Sequence, residues 1–272
     1  MSDILTMEEV APESEDLSAQ DGAMGSVTRS GEYEVRLPDL DPETLSGQLV
    51  VIEGPDGSGR STQIKLLTEW LEGRGHAVQT MGLRRSRLLA PNIDALLGSN
   101  EIQPLTMALL YATDFCDQLA NRIIPALQGG FVVLADRYVY TLITRAAVRG
   151  LDRDYLSTVY EFAMDPDLLF YLDLSPTLAF ERLFEKQNSV SFWETGRDLD
   201  LSPNLYESFV EYQQMLREEF GVQTEERSLS LIDGGQTVPE VNRRLRESIA
   251  ELLDIDDISY EPSDELLPIW NL

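Results

Sequence analysis

Residues 49–52, the apolar and β-branched run Leu-Val-Val-Ile, lead almost directly into Gly54-Pro55-Asp56-Gly57-Ser58-Gly59-Arg60-Ser61-Thr62. Few folds accommodate that order. The run reads as a buried strand, and the three glycines let the backbone take positive φ and approach a ligand closely. From Ser61 onward Ile64, Leu67 and Leu71 recur at helical spacing, with Leu66 and Trp70 widening the stripe. Strand, glycine loop and helix together form an anion site, because loop N–H groups and the helix N-terminus point at the same place. The phosphate-binding pattern G-x-x-x-x-G-K-[ST] is met by Gly54, Gly59 and Ser61, but Arg60 stands where the lysine belongs.

The chain of 272 residues can hold one large α/β domain with appendages. It carries 48 acids against 21 bases, and Lys65 and Lys186 are its only lysines. Surfaces rich in acid and poor in lysine suit proteins that work in molar salt, where the Debye length falls to about 3 Å. An acidic arm alone does not explain the balance: residues 1–45 hold net −10, which leaves −17 on the rest. Such a surface repels duplex nucleic acid. The single cysteine, Cys116, excludes an internal disulfide and suits the cytoplasm. With His76 the sole histidine, a histidine-based acid–base mechanism is not expected. No apolar run approaches the roughly 20 residues of a membrane span, and residues 1–16 are acidic rather than signal-like. A cytoplasmic protein without a membrane partner is expected.

Residues 1–46 read as an acidic, disordered arm, with Tyr33, Val35 and Leu37 alternating as a short strand would. The domain follows over 47–255. A second strand over 77–81 delivers Arg84, Arg85 and Arg87 to the edge where α/β sheets bind ligands. A long helix is predicted over 105–127, with Tyr111, Phe115, Gln118 and Arg122 on one face. A third strand over 131–135 ends in Asp136-Arg137-Tyr138. A carboxylate there suits Mg²⁺ beside the loop hydroxyl, and the planar fork of Arg137 suits phosphate oxygens. Helices over 138–149 and 152–164, a strand over 168–172 and a helix over 177–186 come next. A mobile lid is expected at 187–204, then a helix over 205–220, a fifth strand over 229–232 and a closing helix over 238–253. An acidic tail over 256–272 completes the chain. The alternation calls for a parallel sheet covered on both faces.

From about Leu49 to Leu253 the order of motifs resembles the thymidylate kinase family of nucleoside monophosphate kinases. The resemblance rests on Val-Ile-Glu-Gly-Pro-Asp-Gly-Ser-Gly-Arg-Ser-Thr-Gln, on Ile-Ile-Pro-Ala-Leu-Gln-Gly-Gly, on Ala-Asp-Arg-Tyr and on Arg149-Gly150-Leu151-Asp152. Pro166-Asp167-Leu168 and Tyr171-Leu172-Asp173 fit it too. It implies a three-layer P-loop NTPase fold with a five-stranded parallel sheet flanked by helices, and often a homodimer. It also implies transfer of the ATP γ-phosphoryl group to a nucleoside monophosphate such as dTMP, with Mg²⁺. Gly54, Pro55, Asp56, Gly57, Ser58, Gly59, Arg60, Ser61 and Thr62 would cradle the ATP phosphates. Ser61 and Asp136 would serve the metal. Asp56 would meet the acceptor sugar, and Arg137, Arg84 and Arg85 the acceptor phosphate, with Phe115 and Tyr138 beside the acceptor. Arg60, Asp136 and Arg137 form the catalytic set.

The chain departs from the family pattern at several places. Arg60 replaces the lysine that reaches the β- and γ-phosphates. Phe115 occupies the place of an arginine that helps recognise thymine, the usual Tyr-Gln pair is absent with Thr144-Arg145-Ala146-Ala147 near its place, and the lid lacks the usual arginine cluster. A non-catalytic nucleotide-binding relative and a polyphosphate-dependent kinase are the competing readings. If the site is catalytic, Arg60→Lys is expected at this level to raise turnover.

Overall fold

The computed structural model describes residues 44–187, 190–224 and 229–271. The expected arm over 1–46 lies outside them except for its last three residues. Five parallel strands, β1 (Gln48–Glu53), β2 (Val78–Gly82), β3 (Val132–Asp136), β4 (Leu168–Asp173) and β5 (Leu229–Asp233), stand in the order β2-β3-β1-β4-β5. All five strands and the three-layer arrangement match expectation. β1 is central because both its faces are apolar. Leu49 and Val51 belong to a core with α3 (Pro104–Gln118), α5 (Val139–Val148) and α6 (Arg153–Val159). Val50 and Ile52 belong to the opposite core with α1 (Arg60–Glu72) and α9 (Val238–Leu252). That division follows from the two-residue period of a strand. Register then sets the site: Ile52 pairs with Asp136, so β3 delivers its carboxylate beside the loop that leaves β1.

Four elements differ from the sequence expectations. The helix over 105–127 is interrupted. α3 ends at Gln118, a π-helical turn covers Leu119–Ile123, and α4 (Ile124–Gln128) resumes with Pro125 in its first turn. Pro125 lacks an N–H and its ring crowds the carbonyl four residues back; an inserted residue relieves the clash. α6 stops at Val159 rather than 164, because Tyr160 and Phe162 turn inward onto Phe115. A further helix, α2 (Ala90–Ser99), was not foreseen, although Pro91 in its first turn and the Ile93/Leu97 spacing announce it. Residues 190–204, from the expected lid, form a compact turn with a short 3₁₀ segment at Arg197–Leu199, followed by α8 (Leu205–Thr224).

The remaining helices are α7 (Pro176–Gln187) and α10 (Leu267–Trp270). The tail folds back on α1: Glu69 accepts bonds from the Tyr260 hydroxyl at 2.8 Å and the Ser263 N–H at 2.9 Å. The Arg246 guanidinium lies over both Trp70 and Tyr260. No described helix is long and apolar enough to cross a membrane.

Candidate active site

The loop Gly54–Gly59 turns at the C-terminal edge of β1. Gly54 has φ 145°, and a Cβ there would lie 2.7 Å from the Leu172 carbonyl oxygen. Gly57 has φ 83°, with the Ala179 carbonyl at 2.8 Å from a Cβ. Both positions therefore need glycine. Gly59 caps α1, whose first turn carries no acid of its own, so the positive end of the helix faces the loop mouth.

Arg60 is folded inward rather than extended from the loop, and is 7% exposed. Its Nη1 donates to the carbonyl oxygens of Gly54 and Pro55, both at 2.5 Å, and to Ser58 Oγ at 3.1 Å. Its Nε donates to Asp136 Oδ1 at 2.9 Å, and its Nη2 lies 3.8 Å from Asp56 Oδ1. A lysine ammonium is a single point of charge and has no such fork. Asp136 in turn accepts from Ser61 Oγ on Oδ2 at 2.7 Å. Burial would raise the Asp136 carboxyl, but Arg60 and Arg137 hold it below the usual carboxylate range.

Asp56 is the second focus. Arg137 Nη2 donates to its Oδ1 at 2.5 Å and Arg145 Nη2 to its Oδ2 at 3.1 Å. Burial alone would push this carboxyl up; Arg137, Arg145 and Arg60 overcome that and hold it well below its ordinary value. Arg137 adopts φ 69°, a conformation rare for a side-chain-bearing residue and one that clusters at functional sites. Its N–H donates to the Ile52 carbonyl at 3.1 Å, which ties the turn to β1. Its guanidinium Nε is buried and has no protein partner. Two carboxylates and three guanidiniums thus converge, an excess of one positive charge in a chain of net −27.

Beneath them the last residue of β1, Glu53, is fully buried. It accepts the Tyr138 N–H at 2.9 Å, the Thr141 N–H at 3.2 Å and the Thr141 hydroxyl at 2.5 Å. Burial pushes its carboxyl up despite these bonds. Glu53 therefore caps α5 from a different element and fixes the helix that carries Arg145 and Arg149.

Asp56, Arg137 and Arg145 open onto a cleft of about 640 Å³, within the range of small-molecule sites. Its far wall is apolar, with Leu97, Met107, Ala108 and Tyr111, and Arg84 stands at its rim in an ion pair with Asp94 at 2.8 Å. The Asp114 carboxylate holds the turn after β2 by accepting the N–H groups of Arg84 and Ser86, each at 3.0 Å.

Of the residues singled out from the sequence, Gly54, Pro55, Asp56, Ser58, Arg60, Ser61, Asp136 and Arg137 come together, with Gly57, Gly59 and Thr62 completing the loop and first turn. Arg84 reaches the cleft. Arg85 is folded against Gly82, away from the cleft lining. Phe115 and Tyr138 are corrections to the expectation of acceptor contact. Phe115 is 1% exposed and Tyr138 fully buried, and their rings meet edge to face at 4.9 Å. The Tyr138 hydroxyl donates to the Met164 carbonyl at 3.0 Å. Both rings serve the core because their neighbours on that face are apolar. Glu53, Arg145, Arg149 and Trp193 were not foreseen as site residues. Thr141, Arg145 and Arg149 at i, i+4 and i+8 share a helix face, which is the signal that would have found two of them.

The donor set also fits Mg²⁺. Ser61 Oγ and Asp136 Oδ2 are hard oxygen donors in contact beside an anion cradle, and Mg²⁺ is commonly held by one or two protein oxygens plus substrate phosphates. Among the described residues no cluster of three or more His, Cys, Asp or Glu side chains could hold a metal by itself.

The family model described as thymidylate kinase matches residues 52–231. "Probable thymidylate kinase 2" of Saccharolobus solfataricus is 34% identical over 211 residues, covering 77% of this chain and 99% of that protein. The thymidylate kinase of Caldicellulosiruptor saccharolyticus is 31% identical over 221 residues, covering 77% of this chain and 98% of its own. A Thermococcus kodakarensis protein named probable thymidylate kinase is 32% identical over 178 residues, 62% of this chain and 85% of its own length. With its loop, its Asp-Arg turn and its cleft in place, and with a match spanning well over half its length, the chain belongs to the thymidylate kinase family.

Proposed function

We propose that the protein transfers the γ-phosphoryl group of ATP to the 5′-phosphate of dTMP. The observation that carries this reading is the meeting of the Gly54–Gly59 loop, Ser61, Asp136 and Arg137 at one sheet edge, beside the cleft lined by Asp56, Arg137 and Arg145. The loop and the first turn of α1 receive the ATP phosphates on backbone N–H groups. Asp56 meets the acceptor sugar, while Arg137, with an unpartnered Nε, and Arg84 at the rim receive the acceptor phosphate.

Arg60 lies between the two halves, with Nε on Asp136 and Nη2 toward Asp56. A guanidinium there sits close to where charge moves and stabilises it without reorganising. Ser61 and Asp136 would hold Mg²⁺, which when bound neutralises charge on the phosphate oxygens. No strong general base is needed, because phosphoryl transfer depends mainly on alignment and charge neutralisation. Asp56 and Asp136 stay ionised, each held down by its arginines. A cytoplasmic, salt-adapted homodimer belongs to the same reading. Its support is the acid-rich, lysine-poor composition, the single cysteine and the habit of the family.

The test is a coupled ADP-release assay in molar KCl with dTMP, dUMP, dCMP, UMP and CMP as acceptors. The highest kcat/KM is expected with dTMP. Measurable ATP binding but turnover with none of the five would overturn the kinase reading in favour of a non-catalytic nucleotide-binding protein.

A further inference from the structure

Arg149, at the C-terminal end of α5, touches no group of the phosphate cradle, yet its side chain is only 3% exposed and fully engaged. Its Nε and Nη2 grip the two carboxylate oxygens of Asp198 at 2.7 and 3.2 Å. Its Nη1 donates to the Tyr212 hydroxyl at 2.7 Å and to the Arg145 carbonyl at 3.0 Å. The guanidinium also lies 5.7 Å from the Trp193 ring centre and 5.1 Å from that of Tyr212. One side chain therefore joins α5, α8 and the turn over 190–204. A bidentate pair fixes orientation as well as distance.

That turn closes the acceptor cleft. Trp193 and Glu194 line it opposite Tyr111 and Met107, and Trp193 Nε1 donates across it to the Leu97 carbonyl of α2 at 2.8 Å. On its other side the turn is held to α8, where Ser208 Oγ donates to the Thr195 carbonyl at 2.7 Å and Gln213 Nε2 to the Glu194 carbonyl at 3.2 Å. Gly196 packs so closely on Tyr212 that a Cβ would lie 2.7 Å from its ring. The α8 side is anchored many times, and the bond from Trp193 to Leu97 ties the turn to α2. A large planar ring over an apolar wall is the surface on which a nucleobase stacks.

We infer that Arg149 is a positioning residue that fixes Trp193 as the outer wall of the acceptor cleft, so that base binding in this chain depends on the 190–204 turn. The inference rests on the proposed dTMP site and deepens it. It also answers a deficit: Phe115 lies in the core, so α3 presents no arginine at that position to the base, and the cleft has an aromatic ring on the facing side instead.

The experiment measures steady-state kinetics with dTMP and ATP, together with acrylamide quenching of Trp193 fluorescence, in a Trp270→Phe background. Trp70, the other tryptophan, is 1% exposed and contributes little to quenching. Arg149→Ala is expected to raise the dTMP KM about tenfold or more, with kcat within about threefold and the ATP KM unchanged, because it removes binding rather than charge stabilisation. Quenching is expected to rise in that variant and to lose its protection by dTMP. Asp198→Asn, which leaves Arg149 on Tyr212, shifts both readouts in the same direction by less, and it carries the test if Arg149→Ala does not fold. A fall in kcat at constant dTMP KM, or unchanged quenching with unchanged kinetics, overturns the inference. Absence of turnover with dTMP in the parent protein instead counts against the kinase reading, and the quenching comparison still decides whether Arg149 holds Trp193.

Discussion

Arg60→Ala lowers kcat for dTMP phosphorylation by about 10³-fold or more, the scale at which arginines that neutralise a moving phosphoryl group act. The expectation follows from the position of the guanidinium between Asp136 and Asp56 and from its grip on the Gly54 and Pro55 carbonyls. Removing it also leaves Asp136 Oδ1 without its buried partner. Arg60→Lys is the more informative change. Sequence alone favours a gain, because lysine restores the family pattern. The geometry reverses that sign. One ammonium can bond the loop carbonyls or Asp136 but cannot span both as the fork does, so turnover is expected to fall about tenfold. Single-turnover measurements with saturating ATP separate the two variants from effects on binding. An Arg60→Ala protein with parental kcat removes the guanidinium from the mechanism.

Asp56→Ala carries the largest stability effect expected in the chain. Three guanidiniums lie around that carboxylate, and taking it away leaves Arg60, Arg137 and Arg145 facing one another in a partly dry site. Breaking a buried pair in this way costs about 3–5 kcal/mol, and at roughly 2–4 °C per kcal/mol for a domain of this size Tm falls by about 10 °C. Sulfate should restore part of the loss by filling the vacated charge. Molar KCl should not, since buried charges are poorly screened. The pH dependence has a definite sign. The folded Asp56 carboxyl is lowered, so its stabilisation is present above its unfolded value near 4 and disappears only as pH falls through the folded one. The Tm difference between parent and Asp56→Ala is thus constant above about pH 5 and closes in stronger acid. Calorimetry across pH, with and without sulfate, checks each part; equal Tm values at pH 7 would show that the arginines do not need the acid.

Local chemistry made the central site legible. The β1 run, the glycines and the Ile64/Leu67/Leu71 stripe are short-range signals, and Asp136-Arg137 announces itself by ending a strand. What was not legible depends on faces and long-range contacts. Phe115 and Tyr138 sit beside site residues in sequence, but helix phase and the start of α5 turn both rings into the core. Glu53 looks like a loop entry residue until the fold places the N-terminus of α5 above it. Arg149 acquires meaning only through Asp198 and Tyr212, dozens of positions away. Pro125 was in plain view, yet its effect, a π-helical turn at Leu119–Ile123, falls on the residues before it. The fold class came from alternation of strands and helices, which such local departures do not disturb.

In the proposed mechanism the loop after β1 takes a nucleotide's phosphates, with Asp136 and Ser61 serving a metal beside it. Calorimetric titration of the full chain with ATP in molar KCl, with and without Mg²⁺, tests it most directly. Saturable one-to-one binding is expected, tighter with Mg²⁺ in the parent, with the Mg²⁺ dependence lost in Asp136→Asn. No detectable ATP binding to the folded parent, in either condition, would contradict it.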